Sequence, residues 1–229
     1  MSATNFIVID ISTTGIPKHA IGTDIPSYKN KDSFNNCRVV QVAWIVTDNE
    51  SNKYITKNFY IKQSDDVLNR KYSIKYNAKK SIFANPDENN IYCKSTIKKS
   101  IVKKSINGVS IKEALTSLHN DLVKWKPTCI VVHNEMYVFQ SLFHELYRED
   151  SNNILLKKLK VDDFFDEDKQ PYTLFDTASE FSFYFDTDKF VSLEQISEKY
   201  LTKEILNLDD DALIDTEIIY KSFINAMSK

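Results

Sequence analysis

The apolar positions change rhythm along the chain. Phe6-Ile7-Val8-Ile9 is an unbroken apolar run ending at Asp10, which predicts a buried strand. Val39, Val42, Trp44 and Val46 lie in an apolar stretch that closes at Asp48-Asn49, where a hairpin turn fits. From Tyr54 to Ile61 the pattern alternates, with Tyr54, Thr56, Asn58 and Tyr60 on one face and Ile55, Phe59 and Ile61 on the other. The first quarter therefore reads as an opening strand followed by a β-hairpin. Gly15 and Pro17 break the chain between them, and residues 18–36 read as a polar loop.

Residues 62–107 are rich in Lys, Asn and Ser, with weak periodicity and Pro86 as a breaker; some helix fits near 66–78. From Ser110 the signals sharpen. Ser110-x-x-Glu113 is a capping box, and Ile111, Ala114, Leu115, Leu118, Leu122 and Trp125 repeat at helical spacing until Pro127. Cys129-Ile130-Val131-Val132 predicts a second buried strand, and a helix follows from about Met136 to Tyr147. Thr177-x-x-Glu180 and Ser192-x-x-Gln195 are further capping boxes, each starting a helix. A last helix is expected from about Asp209 to Met227, with Ile219, Phe223 and Met227 on one stripe and three Asp residues at its favourable N-terminal end. Strands first, then strand and helix in alternation, predict an α/β fold with a mixed sheet.

Composition narrows the function classes. The 229 residues are 42% hydrophobic and 27% charged, with 30 Lys and Arg against 32 Asp and Glu. This is globular composition, long enough to bury roughly 70–75% of the unfolded chain's surface in a single domain. A net charge of −2 excludes a whole-protein positive field, so any nucleic-acid binding must come from a local patch. No apolar run approaches the roughly 20 residues needed to span a bilayer. The N-terminal residues lack the pattern of a signal peptide, so a soluble, intracellular protein with no membrane partner is expected. Cys37, Cys93 and Cys129 are too far apart for a CxxC pair and odd in number, which argues against disulfide scaffolds and zinc sites.

Chemistry starts at Asp10. A carboxylate at the end of a central strand of an α/β sheet lies in the crevice where ligands bind, or accepts backbone hydrogen bonds in a turn. The surrounding Val8-Ile9-Asp10-Ile11-Ser12-Thr13-Thr14-Gly15-Ile16-Pro17 resembles the first motif of the DnaQ-like (DEDDh) 3′–5′ exonucleases, a strand followed by Asp-x-Glu-Thr-Thr-Gly-Leu-Pro. The resemblance continues in order. Arg38-Val39-Val40-Gln41-Val42-Ala43-Trp44 is similar to the family's second strand, and Ile106-Asn107-Gly108-Val109 to its Gly-Ile/Val turn. Val131-Val132-His133-Asn134-Glu135-Met136-Tyr137-Val138 is similar to Val-Ala-His-Asn-x-x-Phe-Asp. Asp176-Thr177, Ser192-Leu193-Glu194 and finally Asp211-Ala212 with Thr216 also fit. The resemblance implies a ribonuclease H-like fold, with a central mixed sheet of about five strands flanked by helices.

It also implies a mechanism in which four carboxylates hold two divalent cations while a histidine activates water. Three of those five positions depart from the pattern. Asp10 and Asp211 stand at their motif positions, but the Glu position is Ser12, the third-motif Asp position is Val138, and the general-base His position is Leu206. Ser12 supplies no charge and Val138 ligates nothing. Mg²⁺ requires hard oxygen ligands, so at most a single weakly bound Mg²⁺ or Mn²⁺ at Asp10 and Asp211 is expected. Loss of the base alone costs about 10²–10⁴ in rate. An active site would need a recruited carboxylate such as Glu135, near a helix start; the other reading of Glu135 is a charge favoured by the helix dipole. Asp209 and Asp210 read as N-terminal helix charges, and His133 as structural.

Among Lys94, Lys98, Lys99, Lys103 and Lys104, several share a face if residues 94–105 are helical. They read as a nucleic-acid strip or a solvated basic face. Asp162, Asp163, Asp166, Glu167 and Asp168 form an opposite block that meets a basic partner or sits in a loop. Phe181, Phe183, Tyr184 and Phe185 read as core, or as a partner or base-stacking surface where exposed. The leading expectation is an exonuclease-like protein, catalytically inactive or very weak, that acts as a binding or scaffolding subunit in nucleic-acid metabolism, with a protein partner, nucleic acid or both. An active exonuclease with a rearranged site and a non-cleaving single-strand binder are the alternatives.

Overall fold

The structure is a computed structural model. It describes residues 5–18, 20, 24–48, 53–64, 67–68, 99–149, 152, 154–166, 168–187, 189–201 and 211–227. The opening apolar run forms β1 (Phe6–Thr13), buried along its whole length. β2 (Val39–Asp48) pairs antiparallel with it, from Ile7 opposite Val46 to Ser12 opposite Gln41. β3 (Lys53–Tyr60) completes the predicted hairpin, with Asp48 opposite Lys53 and Gln41 opposite Tyr60. On the other side of β1, β4 (Cys129–Val132) and β5 (Thr173–Asp176) run parallel to it, Val8 facing Val131 and Val132 facing Asp176. The sheet order is β3-β2-β1-β4-β5, an α/β arrangement with a mixed five-stranded sheet.

Helices cover both faces. The described ones are α1 (Lys99–Ile106), α2 (Ile111–Trp125), α3 (Glu135–Glu149), α4 (Ile154–Lys158), α5 (Thr177–Glu180), α6 (Leu193–Tyr200) and α7 (Ala212–Met227). Single 3₁₀ turns occupy Val161–Phe165 and Phe181–Phe185. Strand parity decides which helix meets which side chain. Ile7, Ile9 and Ile11 enter the main core with Leu115 of α2 and Leu142 of α3. Phe6 and Val8 point the other way and pack with Val131 against Ile219 of α7. Asp10 and Ser12 share that second parity, so the opening motif's polar side chains face the α7 side of the sheet.

Local chemistry sets the element ends. Ser110 accepts from the Glu113 amide and starts α2, and Ser192 with Gln195 makes a complete capping box for α6. The expected box at Thr177 is corrected. Asp176 caps α5 by accepting from the Ala178 amide, while the Thr177 hydroxyl donates to the Val132 carbonyl. The last helix is described from Ala212 rather than Asp209; Asp209 and Asp210 lie outside the described residues. Of the helix expected over 66–78, only residues 67 and 68 are described, both helical.

Gly108 is required where the chain leaves α1 and crosses the end of β3. The Val109 amide donates to the Tyr60 carbonyl (2.9 Å) and the Lys62 amide to the Val109 carbonyl (2.8 Å). A Cβ on Gly108 would stand 2.3 Å from the Tyr60 carbonyl oxygen and 2.9 Å from the Lys62 nitrogen. Two buried ion contacts tie helices to the sheet. Glu145 of α3 holds Arg38 and also accepts from the Val39 amide and the Gln63 side chain. Asp121 of α2 accepts from Trp44 Nε1 (2.9 Å) and Lys57 Nζ (2.8 Å). Cys37 is buried with Phe34, and burial pushes its thiol up to about 12. Among the described residues no helix is long and apolar enough to cross a membrane.

Candidate functional site

The end of β1, the start of α7 and the beginning of β2 meet in one polar cluster. Ser12 Oγ donates to Gln41 Oε1 (3.3 Å) and accepts from the Ala212 amide (3.0 Å). Gln41 Oε1 also accepts from that amide (3.2 Å). Gln41 Nε2 donates to Asp211 Oδ1 (2.8 Å) and to Asn58 Oδ1 on β3 (3.0 Å). Asp211 Oδ1 in turn accepts from the Leu213 amide (3.1 Å) and so caps α7. Gln41 is fully buried, and a buried amide must spend its donors and acceptors on neighbours. Here it spends them on the N-terminal turn of a helix, whose unpaired amides need such partners.

The sequence-predicted positions are therefore divided. Ser12 and Asp211 come together through Gln41, and buried Asp10 shares the strand parity of Ser12. Val138 does not join them. It lies on α3 in the core with Ile9, Ile11 and Leu142, and its amide donates to the Asn134 carbonyl (3.1 Å). Leu206 lies outside the described residues. Among the described residues the groups near Asp10 are already engaged in hydrogen bonds. Asp211 Oδ1 already accepts from two nitrogens, and Ser12 Oγ both donates and accepts. Among the described residues no three His, Cys, Asp or Glu side chains converge as a metal-binding group.

A lysine stands at the rim. Lys104 Nζ donates to the Tyr60 hydroxyl (2.9 Å) and lies 4.7 Å from that ring's centroid. The Tyr60 hydrogen bond raises the Lys104 pKa, and the Asp211 carboxylate adds a smaller pull in the same direction. Lys103 is exposed beside it. Of the predicted basic strip, Lys94 and Lys98 lie outside the described residues, as does the side chain of Lys99.

A second cluster closes the turn from β4 into α3. Asp176 accepts from the amides of Asn134 (2.7 Å) and Glu135 (3.1 Å) as well as Ala178 (2.9 Å). Asn134 adopts φ 65°, left-handed backbone that Asn tolerates. Since the Thr177 hydroxyl donates to Val132, it must accept from His133 Nδ1 (3.0 Å), which assigns the ring proton to that nitrogen. Burial lowers the His133 pKa to about 4, so the ring is neutral at pH 7. Burial raises the pKa values of Asp176 and Glu135; for Glu135 the charges of Asp176 and Glu180 push further in the same direction. The Glu135 carboxylate thus has Asp176 and Glu180 as charged neighbours at the end of β4 and β5.

The remaining predicted features resolve individually. Asp162 accepts from Lys29 (3.0 Å) and the Tyr28 hydroxyl (2.9 Å), and Asp166 is held by Lys169, so part of the acidic block is neutralised. Glu167 is outside the described residues. Phe181 is core, whereas Phe183 is 86% exposed and Tyr184 is exposed beside it. Sequence reasoning missed Gln41 and Asn58 as site residues; the available signal was a lone amide in the apolar run Val39-Val40-Gln41-Val42. Compared with known proteins, the chain matches no family model and no curated sequence.

Proposed function

We propose that this chain is a degenerate DnaQ-like exonuclease-fold protein, ribonuclease H-like in architecture, in which the hydrolytic site has become a structural joint. It acts as a binding or scaffolding subunit in nucleic-acid metabolism. The fold part rests on the order β3-β2-β1-β4-β5 with the first three strands antiparallel and the last two parallel to β1. The inactive part rests on one observation above all: Asp211 and Ser12 are engaged by Gln41 and by the first amides of α7. Placement in nucleic-acid metabolism is analogy at the level of fold.

The test is incubation with single-stranded DNA and RNA in Mg²⁺ or Mn²⁺. No mononucleotide release is expected. Metal-dependent release that disappears in Asp10→Ala overturns the proposal in favour of an active exonuclease with a rearranged site.

A second reading, a non-cleaving single-strand binder, is favoured by Lys104 at the rim, within electrostatic reach of Asp211. It requires affinity that falls with salt, and a slope reduced by about one unit per lysine in Lys103→Ala and Lys104→Ala. A slope near zero removes it. If the scaffolding role holds instead, a defined protein partner co-purifies with the intact chain.

A further inference from the structure

A concave cleft of about 330 Å³ opens beside α4, and neither Asp10 nor Asp211 lines it. Its walls come from the turn at Tyr28-Lys29, from Tyr147 near the end of α3, and from residues 156–157 and 160–163. The volume is at the lower end of the range typical of small-molecule sites. Its charges are unevenly matched. Lys29 pairs with Asp162, which the Tyr28 hydroxyl also holds, and these two partners lower the Asp162 pKa. Lys157 and Lys160 have no carboxylate within ion-pair distance among the described residues.

Backbone geometry brings those two lysines to one wall. The Lys160 amide donates to the Lys157 carbonyl (3.1 Å), and Lys160 adopts φ 53°, which turns the chain sharply after α4. Two like charges held on a concave surface favour a compact dianion between them. Opposite chemistry lines the rest of the cleft: the half-buried Tyr147 ring and Leu156 are apolar, and Asp162 and Asp163 are acceptors for hydroxyl or amino groups.

We propose that this cleft binds a small phosphate monoester, its phosphate on Lys157 and Lys160 and its polar body against Tyr147 and the two aspartates. The site is independent of the function proposed above and uses none of its residues.

The experiment titrates AMP and glucose 6-phosphate separately into the full chain, following backbone amide shifts of Tyr28, Tyr147 and Lys157 by NMR. Adenosine, glucose and inorganic phosphate are the controls. Saturable binding of at least one ester is expected, about tenfold or more tighter than its dephosphorylated counterpart and than inorganic phosphate. AMP alone identifies a base-bearing ester as the preferred body, and glucose 6-phosphate alone a sugar phosphate. The double variant K157Q/K160Q is expected to weaken binding about tenfold or more while keeping the native spectrum elsewhere, since both side chains are exposed. Failure of both esters to saturate overturns the proposal. So does unchanged affinity in the double variant, or inorganic phosphate binding as tightly as either ester.

Discussion

The side-chain amide of Gln41 donates to the carboxylate of Asp211 across 2.8 Å and 170 residues of sequence. That contact joins the beginning of β2 to the N-terminal end of α7. It makes the Oδ1 atom of that carboxylate part of the helix cap. Because Gln41 also serves Asn58 and the Ala212 amide, one buried side chain coordinates the ends of three elements.

Replacing Gln41 by Leu should therefore destabilise the protein by about 1–3 kcal/mol, because the buried Ala212 amide and the half-buried Asn58 and Asp211 side chains lose their bonds together. Asp211→Ala removes the cap and should cost about 0.5–2 kcal/mol. Urea unfolding of the two variants and of the double variant measures this. Losses in the double that simply add would mean that the two side chains do not cooperate.

Glu145 is almost fully buried, and Arg38 beside it is largely so. Truncating Glu145 to Ala removes the buried carboxylate that holds Arg38, the Val39 amide and the Gln63 side chain, and should cost about 3–5 kcal/mol. The Asp166–Lys169 pair is screened by solvent, and Asp166→Ala should leave the melting temperature essentially unchanged. Thermal melts of both variants make the comparison.

Gly108→Ala should destabilise by about 1–3 kcal/mol, since the added carbon meets backbone atoms of Tyr60 and Lys62 that have no rotamer to change. Amide hydrogen exchange checks the location: faster exchange at Lys62 and Val109 is expected first.

His133 gives a pH signature. Its folded pKa of about 4 lies below the ordinary 6.5, so the unfolded chain takes up the proton first. The contribution is complete above pH 6.5 and is lost as pH falls through 4, a swing on the order of 3 kcal/mol. Asp176 and Glu135, with raised values, act oppositely: protonation favours the folded state as pH drops through their folded values. Urea midpoints between pH 7.5 and 4.5 should fall, and His133→Asn should remove most of the slope above pH 5. An unaltered slope would place the titration elsewhere.

The sequence made the hairpin and α2 legible because period-two and 3.6-residue patterns are strong over Tyr54–Ile61 and Ile111–Trp125. β5 was not named from the pattern. Thr173–Asp176 is four residues long and no more than half-buried at a sheet edge, so it has no apolar run to announce it. Capping chemistry was misassigned by one residue at Asp176 because both Asp and Thr make good caps, and only the Val132 carbonyl decides between them. Asp10, Ser12 and Asp211 were visible as positions. Their connection through Gln41 was not, since a hydrogen bond between residues 41 and 211 leaves no local pattern.

Cys37 offers a way to watch the molecule breathe. With its sulfur sealed beside Phe34 and protonated at any ordinary pH, alkylating reagents can reach it only when the surrounding shell comes apart. In a Cys93→Ser, Cys129→Ser background, each modified Cys37 would record one such event. The protein then carries its own clock for how often the packing between the opening loop and α3 lets go.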